Sequence, residues 1–174
     1  RTSPPCVSFF IMRLQCVGMD HMQYRESVVE NGRKHGLEPV EENTDGFSRV
    51  WATRDEDDSI GAVSILATLV DDSDPGPDDV VATADAFRDV LIEHVDHRDE
   101  SVTPLGYVVF AVADPDPALV DAACSYTVAR RRTNVFPVVY DPEAEVLHRH
   151  EVPRLKGRGI YRRQAEDTER LFDV

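Results

Sequence analysis

Lysine is nearly missing from this 174-residue chain, occurring only at Lys34 and Lys156. Cysteine is scarce and odd in number, at Cys6, Cys16 and Cys124, with no Cys-x-x-Cys spacing. That usage argues for reduced thiols and against a disulfide framework or a zinc knuckle. No apolar run reaches the roughly 18 residues of a membrane span. The stretch CVSFFIM (residues 6–12) has the look of a signal h-region, but Arg13 and Gln15 interrupt the run directly after it and no small-residue cleavage site appears. The chain also lacks GxxxxGK[ST], a complete GxGxxG and the GxSxG elbow, so no nucleotide loop or serine nucleophile is signalled.

What the chain has is acid. Its 33 acidic and 19 basic residues leave a formal charge of −14, and patches such as RDEDD and DDSDPGPDD make aspartate the main contributor. This composition resembles that of proteins from salt-loving archaea, whose acidic surfaces stay hydrated and mutually repulsive in molar salt; the likeness is one of composition, not of family. Such a field repels phosphate backbones and anionic bilayers, so non-specific nucleic acid and membrane surfaces are not expected partners. At about 1 M ionic strength the screening length is roughly 3 Å, and only contact-distance pairs then matter. The expectation is a soluble, cytoplasmic protein of halophilic type.

Length and a hydrophobic content of 41% fit one globular domain over residues 22–174, with residues 1–21 read as a poorly ordered leader. Residues 22–35 carry Tyr24, Val28 and Val29 in an amphipathic pattern ended by Gly36. FSRVWATR (47–54) and IGAVSILATLV (60–70), parted by DEDDS, read as a hairpin. Asp78 is positioned to cap a helix whose Val80, Ala84, Phe87, Leu91 and Val95 recur at helical spacing. LGYVVFAVAD (105–114) is a strand covered on both faces. Asp116 caps the next helix with Pro117 in its first turn. A stripe of Val120, Cys124 and Val128 carries that helix to Arg130, Arg131 and Arg132 at its end, where cations complement the dipole. VFPVVYD (135–141) completes a β-α-β unit with parallel strands, and Pro137 places its second strand at an edge. EVLHRHEV (145–152) pairs back, and a last helix near 161–172 buries Tyr161, Ala165, Thr168 and Phe172. The fold class is therefore α/β or α+β: a single mixed sheet with helices packed on it, in the order α-β-β-α-β-α-β-β-α.

Charge is unevenly spread. Residues 1–129 hold 9 basic and 25 acidic side chains, net −16, whereas 130–174 hold 10 and 8, net +2. Arg162 with Glu166, and Arg163 with Asp167, stand at i,i+4 spacing and can neutralise each other. This leaves Arg154, Lys156 and Arg158 in a loop with Gly157 and Gly159, directly before a helix start that also carries Arg162 and Arg163. Free helix amides, glycines and adjacent cations make a candidate site for an anion or an acidic partner. The plain alternative is a solvated loop whose cations meet acidic neighbours in the fold.

Other constellations are weaker. Asp114 and Asp141 would share the carboxyl edge of parallel strands, where two carboxylates could hold Mg2+ for phosphoester or nuclease-like chemistry, although both precede proline and suit turns. His148 with His150, and His94 with His97, lack a third convergent ligand, so no metal site is expected. Cys124 reads as a packing thiol, and Trp51 and Phe47 as core residues rather than base-stacking ones. The favoured reading is a non-enzymatic binding module without a cofactor, engaging an acidic ligand or protein through the 154–163 loop and helix start. The alternative is a metal-dependent phosphoesterase.

Overall fold

In a computed structural model, residues 20–41, 44–95 and 98–174 are described. They form α1 (His21–Lys34), β1 (Glu38–Pro39), β2 (Val50–Asp57), β3 (Gly61–Val70), α2 (Pro77–His94), β4 (Thr103–Ala111), α3 (Pro117–Cys124), β5 (Ala129–Arg130), β6 (Thr133–Asp141), β7 (Val146–His148) and α4 (Arg158–Phe172). The expected order stands, with the two-residue strands β1 and β5 added. One mixed sheet runs β1-β2-β3-β4-β6-β5, with β7 also on β6. The pairs β3–β4 and β4–β6 are parallel and the remaining pairs antiparallel.

Two successive crossovers, β3-α2-β4 and β4-α3-β6, step the same way across the sheet. Crossovers of one hand that advance in one direction deliver their helices to one face. Accordingly Leu66, Val108, Phe110, Val135 and Val139 pack against Val80, Phe87 and Leu91 of α2 and Leu119 and Ala123 of α3. The alternate residues Ile65, Tyr107, Phe136, Val138 and Tyr140 join Tyr24 and Val28 of α1 and Leu171 and Phe172 of α4 on the other face. That alternation explains why β4 is buried from Pro104 to Ala111: it lies between two helical layers, which its unbroken apolar run requires.

The two helices of the second face hold each other. Tyr24 donates from its hydroxyl to the Phe172 carbonyl at 2.9 Å and stacks on Tyr140 with ring centroids 4.1 Å apart. Asn31 donates to the carbonyls of Arg170 and Leu171 at 2.6 and 3.1 Å.

Several expectations need correction. Gly76, not Asp78, is the N-cap of α2; Asp79 reaches back to accept the Gly76 amide at 2.7 Å, and Pro77 opens the helix. Helix α3 stops at Cys124, so Arg130, Arg131 and Arg132 do not end it: Arg130 closes β5, and Arg131 and Arg132 form the β5–β6 turn. The Val120–Cys124–Val128 stripe is likewise broken, with Leu119 and Ala123 as the buried positions of α3. Strand β6 is bonded along one side to β4, and on its other side to β5 at Thr133 and Asn134 and to β7 from Val139 to Asp141. Pro137 faces the gap between those two partners, so only the middle of β6 is an edge. Helix α4 begins three residues before the expected start and buries Arg163, Gln164 and Asp167 together with Thr168 and Phe172, while Tyr161 and Ala165 are half-buried. Of the expected leader, residues 1–21, residues 1–19 lie outside the described residues, while Asp20 caps α1 and His21 opens it. Among the described residues, no helix is long and apolar enough to cross a membrane.

Candidate functional site

The basic cluster is built on the first turn of α4. Gly157 stands in its N-cap position with φ 71°, a left-handed conformation open to glycine, and having no side chain it leaves the helix start without a side-chain cap. A carbon at the β position of Gly159 would lie 2.7 Å from Ile60 Cγ2, so the β2–β3 turn seats against this turn of the helix. Asp57 shapes that turn by accepting the amides of Ser59 and Ile60 at 2.8 and 3.1 Å.

Arg163 is drawn inward. Its Nε donates to both oxygens of Asp167 at 3.0 and 2.9 Å, one terminal nitrogen meets Asp55 at 2.8 Å, and the other lies 3.6 Å from Asp57. Asp167 also accepts from Tyr107 at 2.7 Å and from Arg170 at 2.9 Å. Three carboxylates hold the guanidinium firmly protonated against burial. The hydrogen bond from Arg163 lowers the Asp55 carboxyl below its ordinary range. At Asp57 burial works upward, but the two turn amides and Arg163 prevail and the shift is downward. Arg162 is engaged too, with Glu166 at 3.9 Å and with the Ser59 hydroxyl.

Helix start and β2–β3 turn thus absorb Arg162 and Arg163. Arg154, Lys156 and Arg158 stay exposed and form no ion pair with any described residue. Between the first two stands Leu155, 90% exposed, more so than the other exposed large apolar side chains among the described residues, Met22, Val81 and Val146. Sequence reading singled out the cations and passed over this leucine, because an isolated Leu in a polar loop carries no periodic signal. The residues 154–158 therefore present one apolar side chain framed by cations.

Asp114 and Asp141 do come to the same end of the sheet, after β4 and at the end of β6. Asp141 is only 7% exposed and is spent on its own turn, accepting the amides of Glu143 and Ala144 at 2.9 and 3.1 Å. Asp114 is exposed, with φ 46°. Among the described residues, no three His, Cys, Asp or Glu side chains converge to hold a metal ion.

His150 has left the strand that would align it with His148. It is buried, its Nε2 lies 3.0 Å from the Tyr126 carbonyl, and its ring packs edge-on against Phe136. Burial lowers its pKa. His97 lies outside the described residues. The Cys124 thiol is half-buried, donates to the Arg149 carbonyl at 3.4 Å and is raised by burial, the reverse of an activated thiolate. Trp51 and Phe47 pack against the two core clusters, as expected.

Arg88 was not singled out in the sequence, although it stands four residues after Ala84 and three before Leu91, on the buried face of α2. It is 2% exposed and donates to the carbonyls of Thr127, Val128, Arg130 and Thr133, to the Thr133 hydroxyl and to the Tyr126 hydroxyl, over 2.9–3.3 Å. The side chain thereby fixes the segment that places the arginines of the β5–β6 turn. Comparison with protein-family models, curated proteins and solved structures yields no match, so function rests on the chemistry of these residues.

Proposed function

We propose that the chain is a non-enzymatic interaction module of a salt-rich cytoplasm, and that its 154–162 segment engages an acidic partner. One observation carries this reading: in a chain of charge −14, Arg154, Lys156 and Arg158 pair with no carboxylate among the described residues, although acids outnumber bases almost two to one. Cations left free in such a surplus are available to acids elsewhere. At contact distance, charge-assisted hydrogen bonds from arginine to carboxylate survive molar salt better than any long-range field.

Leu155 favours a protein partner over a small oxyanion, since an exposed leucine gains only by burial against apolar surface, at about 25 cal/mol per Å². The expected partner surface holds carboxylates around an apolar seat. Lys156→Glu with Arg158→Glu should abolish binding of an acidic peptide measured by fluorescence anisotropy in about 1 M KCl. Undiminished binding by that variant removes the proposal.

A further inference from the structure

We infer that the β5–β6 turn, through Arg131 and Arg132, is a second contact of the same acidic-partner face, so that a protein segment carrying carboxylates is held at two places along one end of the sheet. The inference rests on the proposed function and extends it to residues far away in sequence.

Topology puts the two places together. Register pairs Ile65 with Leu105 and Leu105 with Asn134, so β4 begins one residue, and β3 three residues, ahead of the level at which β6 begins. The turn at Arg131 and Arg132 lies at the same end of the sheet as the β2–β3 turn, against which the start of α4, directly after the basic loop, is seated. β3 and β6 are separated sideways by two strand spacings, roughly 10 Å, and the offset along the strands adds roughly as much, so the two turns stand about 14 Å apart, which about four to five residues of extended chain cover.

The backbone of the turn supplies the independent observation. Arg131 and Arg132 both have positive φ, 51° and 59°. A two-residue turn of this kind suits Asn-Gly, and two consecutive arginines there carry a steric cost. Residues held in a disfavoured conformation point to a use for their side chains. Their intramolecular ties are slight: Arg131 to Asp89 at 2.7 Å and Arg132 to Glu100 at 3.7 Å, with all four side chains more than half exposed. Exposed pairs of this kind exchange partners at little cost. The Arg88 clamp on the carbonyls of Thr127, Val128, Arg130 and Thr133 anchors the turn's base in place.

A protein segment fits this edge better than a nucleic acid. Asp55, Glu56 and Asp58 lie exposed on the β2–β3 hairpin that meets the start of α4 and would oppose an unbroken run of phosphates. A peptide can space its acids to meet the cations and leave an apolar residue for Leu155.

The test uses the whole chain with two fluorescein-labelled probes in about 1 M KCl: a peptide of four Glu-Glu-Leu-Glu blocks, and oligothymidylate of equal length. Arg131→Asn with Arg132→Gly relieves the turn and removes its charge, so it should raise Tm by a few degrees while weakening peptide binding about fivefold or more. Arg131→Glu with Arg132→Glu keeps the strained backbone and should weaken binding at least as much. Peptide affinity within twofold of the parent in both variants, with loss confined to Lys156→Glu/Arg158→Glu, overturns the inference and leaves the proposed function standing. If the Lys156/Arg158 variant also binds normally, or if the parent does not bind the peptide, both fall. A Tm that drops in the Asn-Gly variant refutes the strain premise, and tighter binding of the oligonucleotide than of the peptide refutes the protein partner.

Discussion

Gly159 shows how a single absent methyl group sets the pose of the basic loop. Alanine there would gain about 1 kcal/mol of helix propensity, yet its methyl would fall inside the contact radius of Ile60 Cγ2, a branch carbon with little freedom to retreat. Gly159→Ala is expected to destabilise by about 1 kcal/mol net, and the same change in an Ile60→Ala background should cost less; equal penalties in a urea double-mutant cycle would refute the contact. His150 sets a different test. Burial lowers its pKa against a smaller upward pull from the Tyr126 carbonyl, while the unfolded chain titrates near the ordinary value of about 6.5. Its share of stability is therefore complete above that pH and is lost as pH falls below it. His94, also lowered by burial, acts in the same direction. Urea stability should decline from pH 7 towards pH 5, with a shallower decline in His150→Gln, whose amide can still donate to Tyr126 but cannot titrate.

Elements joined by buried arginines are the next scale up. Arg88 ties α2 to the path leading into β6, and Arg163 ties α4 to β2, while its partner Asp167 accepts from Tyr107 of β4. Arg88→Met should cost about 3 kcal/mol or more by equilibrium unfolding, because it strands several buried carbonyls at once; Arg88→Lys should recover little, since one ammonium cannot fork to them all. Arg163→Met, leaving Asp55, Asp57 and Asp167 facing one another, should cost about 3–5 kcal/mol. Neither role was legible in the sequence, where a buried arginine looks like any surface one. The hairpin, the β4-α3-β6 unit and the return strand β7 were legible, because apolar runs and Asp-Pro punctuation act locally. The fate of the triple arginine was not, because Ser125 to Val128 depart from the helix to meet Arg88, a partner some forty residues away. Arg154, Lys156 and Arg158 could be found by subtracting local ion pairs; that Arg162 and Arg163 would turn towards the β2–β3 turn could not.

For the whole molecule, charge governs stability as well as partners. A net −14 on 174 residues repels itself, and exposed pairs such as Arg132–Glu100 offset little of it. Thermal unfolding should shift upward between about 0.1 and 2 M KCl as the screening length shrinks from roughly 10 Å to below 3 Å; a flat response would rule out self-repulsion as the main salt-sensitive contribution. Sheet order has a further consequence. Helix α1 is laid on a face whose other cover, α4, comes 124 residues later, the interval from residue 34 to residue 158. At ordinary translation speed that delay is on the order of ten seconds. Throughout it the Tyr24 and Val28 stripe has no Phe172 or Leu171 to close over it, so a nascent chain stalled before α4 is a sticky half-sandwich and a natural client for chaperones.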